Sequence, residues 1–240
     1  MAAPADNHHG ASAEVAPRRL VVISAGTSEP STTRMLADRI AQRSLELLRE
    51  MRVPASAGVV EVAPLAVDVA RAMVHGAPSA ELQAAVDQIA SADAVIASTP
   101  VYKAGISGLF KSFVDVLDDD LLIAKPVLLA ATAGSNRHAL VADEQMRSLF
   151  AYMRALTLPT SVFAAAEDWG ASVLGERVRR AATELAVVLE ARIEQRIADQ
   201  AWSGYKHEFA GNATRAEQTA ADIDFDSPLM RLASGGRTDA

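Results

Sequence analysis

The chain has 240 residues, a formal net charge of −7, 50% hydrophobic residues and no cysteine. That length suits one α/β domain with extensions, and the negative balance, without a basic stripe or Arg-rich arm, argues against nucleic acid as a partner. The lack of cysteine removes disulfides, thiolate nucleophiles, Cys-ligated zinc and iron–sulfur clusters, so redox chemistry would have to come from a bound cofactor.

Residues 1–17 are rich in Ala, Pro and small polar types and lack the continuous apolar stretch of a secretory signal, so a disordered leader is expected there. His8 and His9 fall in this leader, where metal binding is not expected. The most apolar stretch, Leu121 to Ala133, is interrupted by Lys125 and Pro126 and is shorter than the roughly 18 residues that cross a bilayer. A soluble cytoplasmic protein with no membrane partner is the expectation.

Leu20 to Ser24 is a short β-rich run, and Met35 to Leu48 then shows helical spacing at Met35, Leu36, Ile40, Leu45 and Leu48. Gly58 to Pro64 reads as a second strand and Ser79 to Ser91 as a helix with Leu82, Val86 and Ile89 on one face. Ala94 to Ser98 is almost wholly apolar, as a strand covered on both faces should be, and Leu109 to Leu117 carries the next helix. Pro126 to Ala131 and Leu140 to Leu156 supply a fourth strand and helix, and Thr160 to Ala164 a fifth strand. Strands and helices alternating at this length predict a parallel sheet with helices on both faces.

The last predicted helix runs from Ser172 to Asp199, about 42 Å at 1.5 Å per residue, longer than a strand can cover. Its far end is either a frayed charged helix or a subunit interface. From residue 201 to 240 the chain is polar and weakly patterned, and a flexible tail is expected, leaving residues 18–200 as the domain.

Three loops follow strand-like runs: Ser24 to Thr33, Thr99 to Gly105, and Thr132 to His138. Loops at the carboxyl ends of parallel strands converge on the crevice where open α/β sheets bind ligands, so these three imply one site for a phosphorylated planar cofactor. In the first, Ser24, Thr27, Ser28, Ser31, Thr32 and Thr33 place hydroxyls just before a helix. Backbone amides without intrahelical partners and the positive end of the helix dipole would meet a phosphate there, although a Ser or Thr at this position can equally be no more than a helix cap. Neither a dinucleotide fingerprint nor a P-loop is present. Glu29 would repel a phosphate and must point outward, with Arg34 placed to offset it.

The first loop, Thr99-Pro-Val-Tyr102 and Thr132-Ala-Gly-Ser135 together resemble the NAD(P)H-dependent FMN reductase family of flavodoxin-like proteins, over about Arg19 to Trp169. Gly26-Thr27 stands where the family usually has Gly-Ser, Ser31 and Thr33 where it has Ser and then Asn or Ser, and Leu36 begins the helix face. The family's Arg after the Gly-Ser pair is absent, Ser28 and Glu29 occupying that region. The resemblance implies a flavodoxin-like, doubly wound, five-stranded parallel sheet in the order 2-1-3-4-5. It also implies FMN as cofactor and NADH or NADPH as co-substrate.

The same resemblance places the phosphate on Ser24, Thr27, Ser31, Thr32 and Thr33. The ring would rest against Pro100, Val101, Tyr102, Lys103 and Ala104, with its pyrimidine edge near Thr132, Ala133, Gly134, Ser135 and His138. Tyr102 has the alternative of an ordinary surface aromatic, and His138 that of a residue packing the next helix. Lys111 is expected to pair with Asp115 in solvent, and Trp169 to be a packed indole. Hydride transfer between stacked rings needs orientation and no acid/base pair, so no catalytic side chain and no metal is expected. A homodimer or homotetramer is expected by analogy, with a flavin-dependent monooxygenase as a further partner.

A quinone or azo-compound reductase, or a non-enzymatic flavodoxin-type electron carrier, would use the same loops. A receiver-like signalling domain would need acidic residues where Ser24 and Thr99 stand.

Overall fold

A computed structural model describes residues 17–202; the expectations for a leader and for most of the tail lie outside those residues. The chain runs β1 (Arg18–Ser24), α1 (Thr32–Glu50), β2 (Ala55–Glu61), α2 (Ala66–His75), α3 (Ala80–Ala90), β3 (Ala94–Tyr102), β4 (Gly105–Ile106) and α4 (Gly108–Asp115). It continues with β5 (Pro126–Ala133), α5 (Arg147–Tyr152), β6 (Leu156–Thr157), β7 (Val162–Ala165), α6 (Ser172–Glu190) and α7 (Ile193–Ile197).

The parallel sheet is ordered β2-β1-β3-β5, with β6 and β7 each pairing with β5 at the fifth position. This is the expected doubly wound order, with seven strands where five were predicted. The two extra strands are short. Leu158 to Ser161, with Pro159 among them, separate β6 from β7, splitting the fifth position, and β4 is the return arm of a hairpin on β3.

Side chains along a strand point alternately to the two faces, and the sheet sorts its apolar residues accordingly. Val21, Ile23, Val95, Ala97, Val127 and Leu129 pack with Leu82 and Ile89 of α3, Phe110 and Phe113 of α4 and Phe150 of α5. Leu20, Val22, Ala94, Ile96, Leu128 and Ala130 pack on the other face with Leu36, Ile40 and Leu48 of α1 and Leu174, Val178 and Leu185 of α6. The Phe110 and Phe150 rings meet at 6.2 Å and 58°, and each fully buried phenyl contributes about 2–3 kcal/mol of transfer free energy.

Several elements differ from the sequence expectation. Strand β2 lies three residues earlier than predicted, and Pro64 sits in a 3₁₀ turn that leads into the unpredicted α2. Only Val69 and Ala72 of α2 are buried, a stripe too narrow to register as helical periodicity. The helix expected over 140–156 is a π turn, Ala142–Met146, followed by the short α5.

The helix expected to run to Asp199 ends at Glu190. Arg192 adopts a left-handed backbone, φ +52°, and turns α7 back beneath the amino end of the sheet. Arg18 Nε donates to Leu189 O at 3.2 Å, and the nearly buried Lys125 ammonium meets Glu194 at 3.2 Å while donating to the carbonyls of Ala90 and Ala92. The far end of the predicted helix therefore packs against its own chain.

Candidate active site

The three loops converge at the carboxyl ends of β1, β3 and β5. In the first, Ala25 N–H donates to Ser98 O at 3.0 Å, fixing the exit of β1 against β3. Ser31 caps α1, its hydroxyl accepting from Arg34 N–H at 3.2 Å. A Cβ at Gly26 would overlap that hydroxyl, so glycine is what lets the loop close onto its own cap. The amides of Thr32 and Thr33, in the first turn of α1, have no intrahelical partner. Thr33 Oγ1 and Thr132 Oγ1 share a buried hydrogen bond of 2.7 Å, which joins the first loop to the third, and Ser98 Oγ donates to Thr33 O at 3.0 Å.

The second loop is a two-residue hairpin. Val101 pairs with Ile106 and Tyr102 with Gly105, leaving Lys103 and Ala104 at the tip with φ of +51° and +64°. Ser107 N–H donates to Pro100 O at 3.1 Å and to Thr99 Oγ1 at 3.2 Å, and the Ser107 hydroxyl caps α4. Tyr102 is half exposed, and its hydroxyl lies 3.1 Å from Thr27 Oγ1, so the first and second loops touch across the mouth of the cleft.

The third loop leaves β5 at Ala133. Asn136 donates from its backbone at 3.3 Å and from Nδ2 at 2.8 Å to Glu167 Oε1, which ties this loop to the 3₁₀ turn Ala166–Asp168 after β7. Asp168 Oδ2 accepts from Ala165 N–H at 2.8 Å, holding that turn closed.

Between them lies a cleft of about 340 Å³, at the lower end of the range for small-molecule sites. Thr27, Thr32 and Thr33, Pro100, Val101 and Tyr102, and Thr132, Ala133 and Gly134 all face it. Ser24 and Ser31 line a neighbouring pocket that shares Gly26, Thr27 and Ser28 with the cleft. Lys103, Ala104, Ser135 and His138 stand outside the walls of both. Gly26, Ser28, Ala166 and Trp169 complete the lining, and of these only Trp169, in the Asp-Trp-Gly that follows the last strand, carries a sequence signal beyond the first loop. Its indole is partly buried against the α1 and α6 core, as a packed residue should be, while also facing the cleft.

Among the described residues no charged side chain lines the cleft; its polar side chains are hydroxyls and the Trp169 indole. Arg34 does not offset Glu29. Its guanidinium binds Asp38 at 2.7 Å and Glu61, and the Asp38 carboxylate, with Glu61 beside it, raises the guanidinium above its usual range. Glu29 is exposed, and Lys111 pairs with Asp115 as expected. Among the described residues, no group of three or more His, Cys, Asp or Glu side chains is arranged to hold a metal ion.

Residues 18–170 match the family model described as NADPH-dependent FMN reductase, close to two thirds of the chain. The chain belongs to that family. It is 37% identical over 183 residues to the FMN reductase (NADPH) of Pseudomonas aeruginosa, covering 74% of this chain and 96% of that one. It is also 38% identical over 175 residues to the NADH-dependent FMN reductase SfnE of Pseudomonas putida, covering 69% and 89%.

Among solved structures, an oxidoreductase from Corynebacterium diphtheriae superposes with a TM-score of 0.71 at 40% identity, over 73% of this chain and 98% of that one. A flavodoxin, WrbA-like protein from Agrobacterium tumefaciens, at 18% identity and a TM-score of 0.52 over 73% and 99%, shares the flavodoxin-like fold. The family match and the stretch that resembles the family in sequence agree to within a residue at each end, and all three loops fall inside it.

Proposed function

We infer that the chain is an NAD(P)H-dependent FMN reductase whose three loops hold FMN at the carboxyl ends of the strands. One observation carries the placement: the first-turn amides of α1 and the hydroxyls of Thr27, Thr32 and Thr33 share a single cleft with Pro100, Val101, Tyr102, Thr132, Ala133 and Gly134. The group fits these residues. A phosphate is an acceptor of hydrogen bonds, and the donors at the first loop are amides and hydroxyls at the positive end of a helix, so no lysine is needed. Flat walls come from Pro100, Val101 and Ala133, with Tyr102 and Trp169 as the two aromatic residues of the cleft.

When bound, FMN supplies a ring that accepts a hydride from a nicotinamide and passes electrons to an acceptor. The chain's part is orientation and electrostatics. The Thr33–Thr132 bond sets the distance between the phosphate end and the ring end of the cleft. Thr132 and the Gly134 amide offer donors to a carbonyl edge, which favours charge developing there. Among the described residues no carboxylate, imidazole, lysine or arginine lines the cleft, so the chain's part is to hold the two flat groups close.

Cytoplasmic residence, a homodimer or homotetramer, and delivery of reduced flavin to a flavin-dependent monooxygenase belong to the same reading. No helix among the described residues is long and apolar enough to cross a membrane.

The test is steady-state oxidation of NADH and NADPH by the purified chain with and without added FMN. FMN-dependent oxidation of either nicotinamide is expected. FMN uptake with no oxidation of either would make the chain an electron carrier, and no FMN uptake would end the reading.

A further inference from the structure

Gln145 lies in the π turn Ala142–Met146, a local widening of the helix of the kind that recurs at functional positions, yet it lies outside the cleft wall. Its side-chain amide reaches back 41 residues to the β3–β4 hairpin. Gln145 Oε1 accepts from Ile106 N–H at 3.0 Å, and Gln145 Nε2 donates to Ala104 O at 3.2 Å. One planar amide thus satisfies an acceptor at the tip of the hairpin and a donor on its short arm, as a neighbouring strand would. A Cβ at Gly105 would stand 3.3 Å from Gln145 Oε1, so the glycine leaves room for this approach.

The hairpin needs such a partner. Two-residue hairpin loops with both central residues at positive φ are usually Asn-Gly or a similar pair, because a Cβ is disfavoured in the left-handed region. Here the pair is Lys103-Ala104, and both residues are held there. The arm β4 is two residues long and pairs only with β3 among the described residues. A strained tip on so short an arm persists only where its surroundings over-determine it, and such strain gathers at ligand-binding loops.

We propose that Gln145 is a positioning residue for the flavin: its amide clamps the Lys103-Ala104 turn and so fixes Pro100, Val101 and Tyr102 as a rigid support for the ring. This rests on the reading of the cleft as the FMN site. The turn chemistry of the hairpin and the side chain of the π turn are one device, with the placement of the ring support depending on a residue outside the cleft wall.

The experiment compares the parent chain, Gln145→Ala, and Gln145→Ala combined with Ala104→Gly, by FMN titration, amide hydrogen exchange without flavin, and thermal unfolding. Gln145→Ala should raise the FMN Kd about tenfold, as expected for two lost hydrogen bonds of modest net worth, and should speed exchange at Ile106, with the thermal midpoint lowered by no more than a few degrees. Ala104→Gly, which relieves the left-handed strain at the tip, should restore most of the affinity. Parental Kd and exchange in Gln145→Ala would overturn the proposal, as would a loss of affinity matched by global destabilisation and not rescued by Ala104→Gly. A parent chain that takes up no FMN while the Gln145→Ala hairpin still exchanges faster would overturn the cofactor reading and leave the clamp standing.

Discussion

The two ends of the sheet solve opposite problems. At the carboxyl end the side chains facing the cleft are neutral, on loops that touch one another through single hydrogen bonds such as Thr27–Tyr102 and Thr33–Thr132. At the amino end the polar groups are ionic, and two of them, Arg18 and Lys125, are buried. Arg18 is bonded to Leu189 O, Asp93 Oδ2 accepts from Arg19 N–H at 2.7 Å, and Lys125 is shared between two carbonyls and Glu194. The contrast separates the proposed binding from anchoring: neutral hydroxyls at one end line the cleft, and charges at the other fix the end of α6 and the return of α7.

Substitutions should divide along this line. The largest stability effect is expected for Lys125→Ala. Removing a nearly buried ammonium strands two carbonyls and a partly buried carboxylate, and should cost about 3 kcal/mol in urea unfolding while leaving the FMN Kd unchanged. Gly26→Ala should act the other way, because its Cβ displaces the Ser31 cap from inside the binding loop. FMN affinity should fall by about a hundredfold, with about 1 kcal/mol lost from stability as the cap is disturbed.

Thr33→Val leaves the Thr132 hydroxyl buried without its partner and should cost about 1–2 kcal/mol. In a double-mutant cycle, adding Thr132→Val should return part of that stability and none of the FMN affinity.

The smallest effect is a pH dependence at the amino end. Burial pushes the Glu194 carboxyl above its ordinary 4.5, with Lys125 opposing the shift. The folded state therefore holds this proton to higher pH than the unfolded chain does. The stability it confers is fully present below 4.5 and is lost as pH rises through the raised value. Unfolding free energies across that interval should fall more steeply for the parent than for Glu194→Gln.

The carboxyl end was the more legible of the two in the sequence. Its loops are marked by local chemistry, Gly26, the Ser and Thr residues around it, Pro100 and Gly134, and the strands before them alternate or run apolar as buried parallel strands must. The amino end was not legible, because its decisive contacts span the chain: Arg18 to Leu189 crosses 171 residues, and nothing local to Arg192 announces a left-handed break. The hairpin was hidden for a related reason. Lys103-Ala104 carries no turn signal, and the amide that holds it comes from Gln145 in another element. Trp169 was visible as a residue, but its place in the cleft comes from the fold, which packs it against the α1 and α6 core beside loops distant in sequence.

The most direct measurement is a paired equilibrium titration of the chain with FMN and with riboflavin, which differ only in the phosphate. If the first-turn amides and the hydroxyls at the start of α1 grip that phosphate, FMN should bind at least about a hundredfold tighter, and Gly26→Ala should erase most of the difference. Equal affinity for the two flavins would contradict the account.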